Sequence, residues 1–243
     1  QETANTALML NRRKFLQLTA LTAPLLHAVG SLAGTKKGTD KPVVISTWDS
    51  GMAVNEAAWK VLSTGGRALD AVEAGAIHIE NEINCCVGLG GYPDRDGIVT
   101  LDSCIMDEHA NCGAVAGLER IKHPVSVARK VMESTPHVIL VGAGAQQFAL
   151  ENGFQLEAAT LSEEAKKAYA EWLKKNEYKP VINIENRKTN GPFAPAFFED
   201  GSPNHDTMGL VAIDAKGNLS GAVTTSGMAF KLHGRVGDSP IIG

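Results

Sequence analysis

Asn204-His205-Asp206-Thr207-Met208-Gly209-Leu210 is the stretch of this 243-residue chain whose residue types and order allow covalent chemistry. A polar segment rich in Pro and Gly leads into it, and the apolar, partly β-branched run 208–213 that follows reads as a buried strand. A threonine at such a junction is ordinarily a strand residue. Cleavage of the Asp206–Thr207 bond would change its role, because the new N-terminus places an α-amine beside its own hydroxyl, a self-contained base and nucleophile. The Thr207 hydroxyl can attack the Asp206 carbonyl to give an ester that water opens. A contact this local profits from effective molarities of about 10⁵ M or more when the geometry is right. The freed amine, with an ordinary pKa of about 7.7–8.0, can then take the hydroxyl proton near neutral pH. Asp206 sets a carboxylate beside the scissile carbonyl, and His205 adds a second titratable group.

Such a site needs a frame, and the hydrophobic pattern supplies one. Residues 42–47 read as a buried strand delivering Trp48 to its end. Val54, Ala57, Ala58, Val61 and Leu62 mark one helix face, Gly65-Gly66 breaks it, and small residues from Ala68 to Ile79 mark a second helix. The turn 87–93 is glycine-rich but lacks the Lys-Ser/Thr of a phosphate loop. Strands are expected at 98–106 and 112–118 around a 107–111 turn, a helix from Pro124 to 133, and a strand at 137–142. Helices follow at 145–152 and 162–176, the second exposed and charged, and 186–204 reads as a surface loop. Strands 208–213 and 219–225 form a hairpin ending in Thr224-Thr225-Ser226-Gly227.

Composition narrows the class. With 44% hydrophobic and 21% charged residues the chain is ordinary globular protein, and its net charge of −4 offers no field for nucleic acid. Arg12-Arg13-Lys14-Phe15-Leu16 has the pattern of a twin-arginine export signal, followed by an apolar run over 18–29 too short to span a bilayer stably. Residues 1–40 are therefore expected to be signal and linker, and the protein periplasmic or secreted. Disulfides are possible there, yet adjacent Cys85 and Cys86 rarely bond to each other, and with Cys104 and Cys112 they match no zinc spacing. Cys104 reads as a buried small hydrophobe. The sequence assigns neither a disulfide nor a metal, the pairing state of the four cysteines stays open, and no cofactor is expected.

Five stretches together resemble one family: Ser46-Thr47-Trp48, Gly88-Leu89-Gly90-Gly91-Tyr92-Pro93-Asp94, Thr100-Leu101-Asp102, His205-Asp206-Thr207-Met208-Gly209 and His233-Gly234-Arg235-Val236-Gly237-Asp238-Ser239-Pro240. In order and type they are similar to the glycosylasparaginase (aspartylglucosaminidase) branch of the N-terminal-nucleophile asparaginases, over roughly residues 41–243. The resemblance implies an α/β fold, the four-layer αββα sandwich. It also implies self-cleavage into an α chain (41–206) and a β chain beginning at 207, and hydrolysis of the amide joining N-acetylglucosamine to asparagine. Residue by residue it makes Thr207 the nucleophile, Thr225 its assistant, and Arg235 and Asp238 the pair that grips the substrate's α-carboxylate and α-amine. Trp48 lines the site and Asp102 is a buried acid near it.

Chemistry agrees with these types, since Arg offers a planar fork to a carboxylate and Asp an anion to an ammonium. Read alone, Arg235 and Asp238 are an ordinary surface ion pair across a Gly-rich turn. Cys86 stands where the family usually has Ser, which puts its supporting role in question. The family continues well beyond residue 243, so the β chain 207–243 is expected to be truncated and the chain inactive by itself. The resemblance implies a small-molecule glycosylasparagine or aspartyl-amide substrate, an α/β heterodimer after cleavage, and room for pairing into a heterotetramer. An isoaspartyl peptidase or L-asparaginase is the alternative within the family. An exported, non-catalytic amino-acid-binding protein is the alternative outside it.

Overall fold

Among the described residues six strands make one sheet in the order β1-β5-β6-β2-β3-β4, antiparallel throughout except for the β3–β4 edge. They are β1 Val43–Ser46, β2 Thr100–Met106, β3 Cys112–Glu119, β4 Ile139–Val141, β5 Thr207–Ile213 and β6 Leu219–Thr225. Among the described residues five α-helices accompany them: α1 Gly51–Leu62, α2 Ala68–Asn81, α3 Pro124–Ser134, α4 Gly142–Glu151 and α5 Glu163–Lys175. The computed structural model describes residues 41–175 and 207–242. Residues 1–40, read above as signal and linker, the stretch 186–204, read as a loop, and His205 and Asp206 lie outside the described residues.

Period-two alternation decides which side of the sheet faces the core. Met208, Leu210 and Ala212 of β5, Ala222 and Thr224 of β6, and Leu101, Ser103 and Ile105 of β2 are buried, and the apolar ones join α1, α2 and α3 in one core. α2 crosses β5 and β6 while α3 covers β2 and β3. The small residues of α2 permit that closeness: a Cβ on Gly75 would stand 2.6 Å from Cδ1 of Leu210. Arg129 of α3 then ties the two helices, at 2.8 Å from Asp70 and 2.6 Å from Glu73 of α2.

The opposite sheet face carries Ile45, Val211 and Leu219, of which Ile45 is 61% exposed. These residues line an open apolar groove with Cys104, Met106 and Val223. Among the described residues helices thus back one face of the sheet and the other face carries this open groove, the α/β class expected.

Both antiparallel loops next to the central strands use the same device. Asp107 Oδ1 accepts from the backbone N–H of His109 and Asn111, and its Oδ2 from the Asn111 side chain. Asp214 does the same with Lys216 and Asn218. In both, burial raises the carboxyl's pKa, but the hydrogen bonds outweigh it and hold the group below its ordinary value.

Three local expectations change. β4 is short, and Gly142, at φ 53°, turns the chain straight into α4. α5 is not merely a charged surface helix: its Tyr169 and Trp172 stack on Phe230 at 6.2 and 5.2 Å, and Phe230 stacks on Tyr92 at 5.9 Å. Cys85 and Cys86 are disulfide-bonded to each other, although adjacent cysteines rarely pair. Asn84 folds this segment, its Oδ1 accepting from the N–H of both Cys86 and Val87. Cys104 is half-buried on the groove face, with its thiol pushed up to about 11 chiefly by burial.

Candidate active site

Pairing register puts three of the singled-out residues in one row. Thr207 of β5 is opposite Thr225 of β6, and Thr225 is opposite Asp102 of β2. All three belong to the groove-facing set of their strands, at the end where the following loops cover the sheet. Thr225 and Asp102 are buried and Thr207 is half-buried.

Asp102 owes its position to a β-bulge. Leu101 pairs with Leu118 but Ser103 with Val115, so β3 carries an extra residue there. Gly117 takes that irregularity at φ 59°, and its N–H donates to Asp102 Oδ1 at 2.8 Å. The other oxygen, Oδ2, lies 3.4 Å from the N–H of Gly237. A buried carboxylate thus links the row to the Arg235–Asp238 turn.

Trp48 was expected to line the site, and it does something more specific. Its indole N–H donates to the Thr207 carbonyl at 2.7 Å, from a backbone held at φ 63°. Thr47, its neighbour in the Ser46-Thr47-Trp48 motif, adds its hydroxyl to the same carbonyl at 3.3 Å and accepts from the Gly209 N–H at 3.1 Å. The backbone closes the joint, since Thr47 N–H donates to Gly209 O at 2.9 Å. The first residue of β5 is therefore clamped by the end of β1.

Cys86 reaches the site through its backbone. Its carbonyl accepts from Ser226 N–H at 3.0 Å and from the Thr225 hydroxyl at 3.4 Å, while its sulfur is bonded to Cys85. Thr225 Oγ1 in turn accepts from Gly227 N–H at 2.9 Å. Thr224 beside it donates to the carboxylate of Glu80 at 2.7 Å. Glu80 also accepts from Val125 N–H and lies 3.4 Å from His123 Nδ1. Burial pushes the Glu80 carboxyl up, with His123 and Thr224 opposing it. No sequence signal marked Glu80, because a glutamate near a helix end ordinarily faces solvent.

Arg235 and Asp238 are exposed and form no ion pair with each other among the described residues, which separates them from the ordinary surface pair. A Cβ on Gly237 would stand 3.1 Å from Arg235 Nη1, so glycine lets the guanidinium lie over the turn. Backbone bonds from Phe230 to Pro93 (2.8 Å) and from Arg95 to Lys231 (2.9 Å) tie the preceding segment to the Gly-rich loop. Buried Lys231 donates to Ser226 O at 2.8 Å. Asp94, Asp96 and His233 bring ligand-type atoms within 4.8 Å of one another. His233 Nδ1 is 2.6 Å from Asp94 Oδ2, and Asp96 pairs with Arg95, so this is an internal ion-pair cluster rather than a convergent cation cage.

A sheet backed by helices, with a threonine opening an inner strand opposite a second threonine and a buried acid, defines an α/β protein with a strand-end site. The chain belongs to the asparaginase family, whose description matches residues 26–243. It is 54% identical over 240 residues to the N(4)-(beta-N-acetylglucosaminyl)-L-asparaginase of Elizabethkingia miricola, covering 96% of this chain and 65% of that protein. The proteins of the same name from Rattus norvegicus and Mus musculus are 41% and 42% identical over 92% of this chain, which spans 67% and 68% of their lengths. The chain thus spans about two thirds of the length of these relatives.

Proposed function

We propose that the chain is part of a self-cleaving amidohydrolase that breaks the bond between N-acetylglucosamine and asparagine in free glycosylasparagine. The observation that carries this is the clamp on Thr207: Trp48 and Thr47 both bond its carbonyl, at the first residue of β5 and opposite Thr225. A nucleophile at a chain end needs such anchoring, because no preceding residue fixes it.

After cleavage at Asp206–Thr207, the α-amine of Thr207 takes the proton from its own hydroxyl as the oxygen attacks the side-chain amide carbon. The tetrahedral oxyanion collapses, the proton passes to the departing glycosylamine, and an aspartyl ester remains on Thr207. Water, deprotonated by the same amine, attacks the ester and releases aspartate. Thr225, one strand away, supplies a hydroxyl beside the attacking oxygen. Arg235 binds the α-carboxylate and Asp238 the α-ammonium, which selects a free amino-acid head group. His205 and Asp206 act in the cleavage step alone. This reading includes export by the twin-arginine route to the periplasm or outside the cell, and an α/β heterodimer able to pair. A second sheet and helical layer from the remaining length seen in relatives would cover the groove face. No helix of the described residues is long and apolar enough to cross a membrane.

The test uses the complete gene product. Intact-mass measurement should give two chains, and N-terminal sequencing of the second should begin Thr-Met-Gly-Leu. Thr207→Ala should remain one chain without amidase activity. Glycosylasparagine should be turned over ahead of β-aspartyl dipeptides and asparagine. The reverse order makes the enzyme an isoaspartyl peptidase or L-asparaginase, and an uncut protein that still hydrolyses glycosylasparagine ends the mechanism.

A further inference from the structure

We propose that His233, seated on the buried carboxylate of Asp94, is a positioning residue that sets the Arg235–Asp238 turn for the substrate head group. The inference rests on the reading of Arg235 and Asp238 given above.

Asp94 is a fixed point. It is fully buried, its Oδ1 accepts from the N–H groups of Asp96 (2.9 Å) and Ile98 (3.0 Å), and its own N–H donates to Ile98 O at 2.8 Å. Its other oxygen, Oδ2, meets His233 Nδ1 at 2.6 Å, as short as a charge-assisted bond. His233 is 46% exposed on its side chain, so the bond rather than packing decides where it sits.

From His233 the chain passes through Gly234, at φ 83°, to Arg235, whose N–H closes a turn on Leu232 O at 3.0 Å. The imidazole therefore fixes the start of the turn that presents the guanidinium. Asp102, through Gly237 N–H, fixes its far end. Each side of Arg235 is held by a buried carboxylate.

The charged groups facing His233 come from three places. Asp94, Arg95 and Asp96 lie on the Gly-rich loop, with Arg95 paired to Asp96 at 3.5 Å. Glu119 of β3 reaches Nε2 at 3.9 Å, and Arg235 lies on the same turn. The Asp94 hydrogen bond, opposed by partial burial and helped by the nearby carboxylates, raises the imidazole above its ordinary value. The protonated pair is complete below that raised pKa and weakens as pH rises through it. A tether serving only the fold would change melting temperature and leave the pH dependence of ligand affinity alone.

The experiment is calorimetric titration of the complete, processed protein with L-aspartate between pH 5.5 and 9, for wild type, His233→Gln, Asp94→Asn and Arg235→Lys. Aspartate's own ionisation is common to all four. His233→Gln should bind about fivefold more weakly at pH 6, a charged hydrogen bond having been replaced by a neutral one, and should lose the decline that wild type shows at higher pH. Asp94→Asn should move that decline to lower pH. Arg235→Lys should weaken binding at every pH. Weaker binding in Arg235→Lys with an unchanged profile in folded His233→Gln overturns the positioning role alone. No effect in either variant overturns the head-group reading as well. His233 is exposed, so its variant remains informative even where Asp94→Asn misfolds.

Discussion

Thr207 stands directly opposite Thr225 across the β5–β6 ladder, and the same row continues to Asp102 on β2. Opposed residues on one face place their Cβ atoms about 4.5–5.5 Å apart, within reach of two hydroxyl groups. The two strands of one hairpin and a third strand from much earlier in the chain thus deliver two hydroxyls and a carboxylate to one line at the end of the sheet. The line is a property of register, so a slip of one residue in either ladder would turn a member to the helical side.

Thr225→Ala should lower kcat by about 10²–10³ in the complete enzyme, the range for losing one positioned polar group at the reacting centre. It also strips the Gly227 N–H of its acceptor, 2.9 Å away. Thr225→Ser keeps the hydroxyl and loses only the methyl that restricts its rotamer, so most activity should return. Steady-state kinetics of the pair decides it. Equal activity in the alanine and serine variants would remove Thr225 from the chemistry.

Trp48→Phe separates two roles for the indole. If Trp48 chiefly packs against substrate, Phe keeps most of that surface and KM should carry the change. The 2.7 Å bond to the Thr207 carbonyl argues otherwise. The expected result is about a tenfold fall in kcat, one net hydrogen bond's worth, with KM little changed. A raised KM at constant kcat would return Trp48 to the substrate wall.

Most strands and helices were legible from apolar runs and helical spacing: the β-branched run 208–213 reads as a strand, and the small residues along α2 mark the side that meets the core, while the alternate exposure of β5 emerges only in the fold. The row Thr207–Thr225–Asp102 was legible only as family motifs, since register is not written in any one strand. Thr47 escaped notice for a related reason, its partner lying 160 residues away. The aromatic side of α5 was hidden because Tyr169 and Trp172 sit among Glu and Lys in a helix that looks solvated, and Phe230 is distant in sequence. The Cys85–Cys86 bond ran against the usual behaviour of neighbours, and what folds the segment is the Asn84 side chain.

Asp214 gives a pH-dependent stability with a definite sign. Hydrogen bonds from Asn218, Lys216 and Ala68 hold its folded carboxyl below the ordinary value, against the opposite push of burial. A depressed folded pKa stabilises above the unfolded value, about 3.9, and the benefit is lost as pH falls through the folded value. Asp214→Asn should cost about 2 kcal/mol near pH 6, as hydrogen bonds to a charged acceptor become neutral ones. Thermal melts of the two proteins should converge as the pH drops below 4. A constant gap down to strongly acidic pH would show that shape, not charge, holds this loop.

Cys86→Ser tests whether the site uses this residue's sulfur or its backbone. The contacts to Thr225 and Ser226 both end on the Cys86 carbonyl, which the substitution leaves in place. Asn84 still accepts from the N–H at residue 86, so the segment keeps its internal bracing. Activity should therefore stay within about twofold of wild type, the scatter expected where no polar contact is lost. Thiol counting under denaturing, non-reducing conditions gives the control. Wild type should show the two free thiols of Cys104 and Cys112, and the variant should add that of Cys85. Denaturation is needed because the Cys104 thiol, pushed up to about 11 by burial, reacts slowly in the folded protein. A large loss of activity with the expected thiol count would mean that the covalent link, rather than the carbonyl, holds residue 86 against Thr225.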